Sequence, residues 1–172
     1  SHCLTIPREL SLQNGKLLQQ PVREIESLRG AKAEVMDALT DEHKEYHGFK
    51  GKTYEIIVEF ENENAVELGI ELRTRHNEKT VVKYIKKENK VILDRSLSGA
   101  PAGVEYGTVR KAHLESNKIK FHIFVDVSSV EVFVNDGEEV FTARIYPYAD
   151  SEGIRFFAAG GKADFKAIKW NY

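Results

Sequence analysis

Between its turn-forming residues the chain alternates apolar and polar side chains with a period of two, and this pattern constrains the fold more than any other feature. The stretch TYEIIVEFEN (53–62) sets Tyr54, Ile56, Val58 and Phe60 on one face and Thr53, Glu55, Ile57 and Glu59 on the other. AVELGIELRT (65–74) sets Val66, Leu68, Ile70 and Leu72 against Glu67, Gly69, Glu71 and Arg73. Such alternation buries one face of an antiparallel sheet and wets the other. Residues 61–64 join the two runs and read as a hairpin loop. Further strands are expected at 80–87, 90–96, 118–126, 153–159 and 163–170. Short strands at this spacing, with almost no helical period, predict an all-β fold of two packed antiparallel sheets.

The beginning of the chain reads differently. RELSLQNGKLLQQP places Asn14-Gly15 between two short runs, a strong hairpin signal. PVREIESLRG opens with Pro21, carries Glu24 and Glu26 early and Arg29 late, and stops at Gly30, as a short helix does. The chain is therefore expected to divide into a first segment, 1–30, that holds this hairpin and helix, and a sandwich, 31–172.

A length of 172 residues suits one domain that buries roughly 70% of its unfolded surface. The net charge of −2, with acids and bases interleaved, excludes the basic stripe of a nucleic-acid binder. No window approaches the roughly 20 apolar residues of a membrane span, and no signal-peptide core opens the chain. Cys3 is the single cysteine, so no internal disulfide or cysteine-based zinc site is available. A bacterial cytoplasm fits this usage and secretion is not excluded by it.

SSVEVFVNDGEEVFTARIYP (128–147) reads as two strands around a two-residue Asp136-Gly137 turn, both central residues at positive φ, with Asn135 facing Glu138. In that register Val130, Val132 and Val134 share the core face with Ala143, Phe141 and Glu139. Ser129, Glu131 and Phe133 lie on the other side with Arg144, Thr142 and Val140. Glu131 and Arg144 are then diagonal neighbours, and two readings stand open: a surface salt bridge or a bidentate clamp for a sugar.

Other candidate chemistry is thinner. Glycoside hydrolysis needs two carboxylates astride one bond, whereas the 27 acidic residues mostly sit on alternating strand faces and read as solvated. Asp136, beside an Asn and a Gly, is turn chemistry. DRSLSGAPAGVEYGTVR (94–110) is a long loop bringing Asp94, Arg95, Ser96 and Ser98 to one end of the sandwich. It reads equally as a binding loop or as a connection whose polar groups satisfy its own backbone. GAPAG lacks the Lys-Ser/Thr ending of a phosphate-binding loop. His43 and His47 have metal-compatible spacing only if DEHKEYH is helical, and a third ligand is missing. No nucleophile elbow supports a triad built on His113 or His122. No metal or other cofactor is expected. Tyr84, Tyr106, Tyr146, Tyr148 and Trp170 are the aromatics with a choice between sugar stacking and plain packing.

LTIPRELSLQNGKLLQQPVREIESLR (4–29), LDRSLSG (93–99) and DVSSVEVFVNDGEEVFTARIYP (126–147) together resemble the C-terminal β-sandwich domain of glycoside hydrolase family 32. That family comprises the β-fructofuranosidases: invertases, sucrose-6-phosphate hydrolases, levanases and inulinases. The resemblance covers nearly the whole chain and implies a sandwich of concanavalin A-like or jelly-roll type. It further implies a five-bladed catalytic propeller ahead of the sandwich, with LTIPREL at the junction. The family's catalytic stretches, W-x-N-D-P-N-G, R-D-P and E-C, do not occur in this sequence. The expectation is a non-catalytic domain that stabilises a propeller, inactive on sucrose alone, with a homodimer surface as in some members. Related sandwiches of carbohydrate-binding module family 66 bind terminal fructose of levan, so an autonomous fructan-binding module is the alternative. Asp94, Arg95, Glu131 and Arg144 are the candidate residues for a fructose or fructan ligand, chosen for polarity and placement.

Overall fold

The computed structural model describes residues 4–172; Cys3 lies outside them. Twelve strands are formed among the described residues: β1 (Arg8–Gln13), β2 (Lys16–Pro21), β3 (Lys32–Lys44), β4 (Tyr54–Asn62), β5 (Glu67–Arg75), β6 (Glu78–Ile85), β7 (Lys90–Leu97), β8 (Val109–His113), β9 (Lys118–Asp126), β10 (Ser129–Val134), β11 (Glu139–Arg144) and β12 (Gly153–Asn171). β1 and β2 form the expected Asn14-Gly15 hairpin, with Leu12 opposite Leu17. The expected short helix is a 3₁₀ helix, Arg23–Leu28.

β12 organises the sandwich. Its second half pairs with β4 and its first half with β5, while β3 runs along both. The hydrogen-bonded order β11-β10-β9-β4-β12-β5-β6-β7-β8 is continuous, but β12 breaks register between Ala158 and Lys162 and so feeds two facing layers. Gly160 and Gly161 make that bend at φ +69° and +145°, where a Cβ would stand 2.6 Å from Val66 Cγ2 and 2.5 Å from Asn64 Oδ1 respectively. The Asp41 carboxylate accepts the N–H groups of both glycines, at 2.5 and 3.2 Å. Asp41 itself has φ +50°, so β3 bends at the same level.

Two expectations change accordingly. Residues 153–159 and 163–170 are one bent strand, not two. Residues 61–64 do not close a hairpin: β4 and β5 are unpaired, and each lies against a different half of β12. Asn62 holds that crossover by exchanging side-chain hydrogen bonds with the Ala65 backbone. β3 was not expected either. Its inward positions Ala33, Val35, Asp37 and Leu39 include only one large, fully buried apolar residue, Leu39.

The core lies between the layers, with Ile56, Val58, Phe121, Ile123, Val130 and Val132 facing Leu68, Ile70, Val82, Val91, Leu93 and Phe156, as the alternation predicts. At one end, the buried Arg73 guanidinium donates to the carbonyls of Ser151, Lys52, Asp126, Val127 and Tyr148, tying together connections from both layers.

The β10–β11 register is the expected one, with Val130 opposite Ala143 and Val134 opposite Glu139. The turn is wider than a two-residue one. Asn135, Asp136 and Gly137 all have positive φ, and the Glu138 N–H reaches back to the Val134 carbonyl at 3.0 Å.

Candidate functional site

Glu131 is the centre of the first candidate surface. It sits on the outer face of β10 and is buried, although that face was expected to meet water. Its Oε1 accepts the Ile6 backbone N–H at 2.7 Å and its Oε2 accepts Arg8 Nη2 at 3.0 Å. Arg8 also donates to Thr142 Oγ1 and Gln19 Oε1 and lies over the Phe133 ring. The β1–β2 hairpin thus covers the outer face of β10 and β11. Among the described residues no ion pair joins Glu131 to Arg144, although they are diagonal as expected. The hairpin brings Arg8 to the carboxylate, whereas Arg144 donates to Ser128 Oγ and lies over the Tyr146 ring.

The Asp136-Gly137 turn is the second fastening of this segment. Gln20 Nε2 donates to the Asp136 carbonyl. Gly137 has φ +90°, and a Cβ there would lie 2.0 Å from the Gln19 carbonyl oxygen, so only glycine lets β2 approach this closely. Asp136 adds a salt bridge to Lys120 at 2.7 Å.

The third fastening is Glu55, on the outer face of β4 and 0% exposed. Arg29, just past the 3₁₀ helix, donates to both of its oxygens at 2.8 and 2.6 Å. His122 Nε2 lies 2.6 Å from Oε1, and the Tyr172 hydroxyl donates to Oε2. Burial by itself raises the Glu55 pKa, but the hydrogen bonds from Arg29 and His122 outweigh it and hold the carboxyl at about 2. The Tyr172 hydroxyl is pushed up by burial and by the Glu55 charge. Arg29 also covers the Trp170 ring at 4.1 Å. Arg8 and Glu55 were not singled out from the sequence, Arg29 was read only as the basic end of the helix, and His122 only as a member of an unsupported triad. The available signal was Ile57, Phe124 and Phe133 on the outer face, apolar residues that an uncovered sheet has no use for.

Nearer its tip, on the strand face that also carries Arg8 and Gln19, the hairpin holds an apolar ridge. Leu12 and Leu17 are directly opposite, Leu10 lies two residues along on the same face, and they are 73%, 54% and 65% exposed.

A second candidate site is a groove of about 540 Å³ where β7 and β8 meet β11. Arg95 and Arg144 both line it, with Tyr106, Arg110 and Tyr146 around a floor that includes Leu93 and Ala143. Asp94 and Glu131 are not among its lining residues. Adjacent strand residues point to opposite faces, which separates Asp94 from Arg95; Asp94 instead accepts the Ser96 N–H. Arg95 donates to the carbonyls of Ala102, Gly103 and Gly107, closing the loop on itself. Ser98 is buried against Thr80 Oγ1 at 2.6 Å. The loop therefore satisfies its own backbone and forms a groove wall as well. Of the other aromatics, Tyr84 is core and bonds Asn89.

The histidine spacing has no helix to act on. His43 belongs to β3, stacks on Phe157 and lies 3.7 Å from Glu71. Among the described residues no group of three His, Cys, Asp or Glu side chains is placed to hold a metal.

Comparison with known proteins agrees with this architecture. Residues 24–171 match the family model described as glycosyl hydrolases family 32 C terminal, and the chain belongs to that family. It is 39% identical over 172 residues to a sucrose-6-phosphate hydrolase of Staphylococcus xylosus, covering 99% of this chain and 35% of the relative. A levanase of Bacillus subtilis is 37% identical over 179 residues, covering 95% and 26%. The solved sucrose-6-phosphate hydrolase of Lactobacillus gasseri superposes with a TM-score of 0.81 at 26% identity, covering 95% of this chain and 32% of that one. The chain spans between about a quarter and a third of the length of these relatives.

Proposed function

We propose that the chain is the non-catalytic sandwich of a β-fructofuranosidase acting on sucrose, sucrose 6-phosphate or a fructan, and that it stabilises a catalytic propeller through residues 1–30. The carrying observation is the ridge of Leu10, Leu12 and Leu17, exposed on a hairpin whose base is fixed to the sandwich by Arg8–Glu131 and Arg29–Glu55. An apolar ridge on so firmly held a support suits a second surface that covers it. The short coverage of each relative supports a larger partner on the same polypeptide. The sandwich supplies a rigid seat, and the reaction belongs to the propeller.

The test uses the part of the Staphylococcus xylosus relative outside the match, expressed separately and mixed with this chain. Sedimentation should show a complex, lost in the Leu10→Ser/Leu12→Ser/Leu17→Ser variant, and this chain alone should leave sucrose intact. Sucrose hydrolysis by the chain alone would overturn the non-catalytic role. Self-association through the same leucines would assign the ridge to a second copy.

A second reading, a fructose- or fructan-binding surface, is favoured by one observation: Arg95 and Arg144 share a groove with Tyr106 and Tyr146. Aromatic rings with a few convergent polar donors are the usual make-up of a small-ligand site.

A further inference from the structure

Two cationic heads in the groove converge on one oxygen. Arg95 Nη2 and Arg110 Nη1 both donate to the Gly107 carbonyl, at 3.2 and 3.3 Å. Among the described residues their other hydrogen-bond partners are also backbone carbonyls: Ala102 and Gly103 for Arg95, Tyr106 and Val109 for Arg110. Among the described residues neither guanidinium has a carboxylate within salt-bridge distance, whereas Arg8, Arg29, Arg75 and Arg155 each have one. The groove lining contains three arginines, two threonines and two tyrosines and no acid. Glu131, which bonds Thr142 at the groove's rim, is already neutralised by Arg8.

We propose that this groove binds a phosphorylated sugar, with the phosphate monoester at Arg95 and Arg110 and the sugar ring against Tyr106 and Tyr146. The inference rests on the second reading above and narrows its ligand. Carbonyl acceptors orient the guanidiniums without cancelling their charge, so two like charges are held one acceptor apart. A phosphate monoester carries close to two negative charges at neutral pH and offers three acceptor oxygens, which matches two forked donors. A carboxylate would neutralise only one of them, and a neutral fructan neither. A groove of about 540 Å³ is within the size range of small-ligand sites.

The experiment is an NMR titration of the isotope-labelled chain with fructose 6-phosphate and with fructose, at matched ionic strength. Fructose 6-phosphate should saturate shifts at the amides of Arg95, Tyr106, Arg110 and Ala143, at concentrations about tenfold or more below any effect of fructose. Arg110→Gln, on an exposed edge strand, should weaken it about tenfold with an unchanged spectrum elsewhere, and Tyr106→Ala should weaken fructose 6-phosphate while leaving the response to inorganic phosphate in place. Equal responses to the two sugars would overturn the proposal and leave the neutral-sugar reading intact. Silence to both would overturn the two together, and Arg110→Gln binding as tightly as the parent would overturn the assignment of the phosphate.

Discussion

Arg8 reaches across 123 residues of sequence to place its Nη2 3.0 Å from Glu131 Oε2, and the same carboxylate takes the Ile6 N–H. The strand that the alternation marks as half-solvated is therefore the seat of the N-terminal hairpin. Arg8→Ala should leave the buried Glu131 with fewer partners and cost about 1–3 kcal/mol. Amide exchange should speed up in β1 and β2 first, with the core strands β4 and β9 still protected. Uniform loss of protection across the chain would show that the hairpin does not detach separately.

Glu55 makes a pH-dependent contribution whose sign follows from its environment. Its carboxyl is held at about 2, below the ordinary 4.5, so its stabilisation is complete above pH 4.5 and is lost as pH falls from there toward 2. Glu55→Gln should cost roughly 2–4 kcal/mol at neutral pH, since Arg29 and His122 lose their charged partner. The gap in melting temperature between parent and variant should close between pH 4.5 and 2. Asp37, also held at about 2 by Lys44 and Tyr46, steepens the acid limb in both proteins and cancels in the difference. A gap that stays constant from pH 6 to pH 2 would place the effect elsewhere.

The inner layer was legible because a period of two with large apolar residues has one physical solution: Ile56, Val58, Leu68 and Ile70 are buried where the alternation puts them. What escaped was set by contacts distant in sequence. Residues 61–64 look like a hairpin loop locally, and only the bent β12 between β4 and β5 makes them a crossover. Glu55 reads as a solvated acid and Glu131 as a partner of Arg144, because nothing local announces that Arg29 and Arg8 will cover them. Of the candidate sugar residues, Arg95 and Arg144 meet in one groove, while strand alternation alone was enough to part Asp94 from Arg95.

Gly137 and Gly15 form a matched pair for measuring the hairpin's contact with the sandwich. Both have positive φ, but a Cβ at Gly15 would meet nothing within 4 Å, whereas at Gly137 it would stand 2.0 Å from the Gln19 oxygen. Gly15→Ala should cost about 1 kcal/mol of backbone strain. Gly137→Ala should cost at least about 2 kcal/mol more, because backbone must move. Denaturant titrations of the two variants supply the comparison, and equal costs would remove Gly137 from the docking surface.

Arg73 is the most demanding test of how the sandwich end is held. It is 1% exposed, and burial lowers its pKa without an acid in hydrogen-bond contact to offset this. Its shortest bond, 2.6 Å to the Ser151 carbonyl, fixes the segment ahead of β12, and the weaker ones reach the connections before β4 and after β9. Methionine fills much of the same volume and offers no donor, so Arg73→Met should strand several buried carbonyls and cost about 3–5 kcal/mol. For a chain of this size that is a fall in melting temperature of about 10 °C. Lysine keeps the charge but not the fork, and should recover only part of the loss. Should methionine prove as stable as arginine, the carbonyls must be satisfied by water, and the guanidinium would not be what joins the two layers at this end.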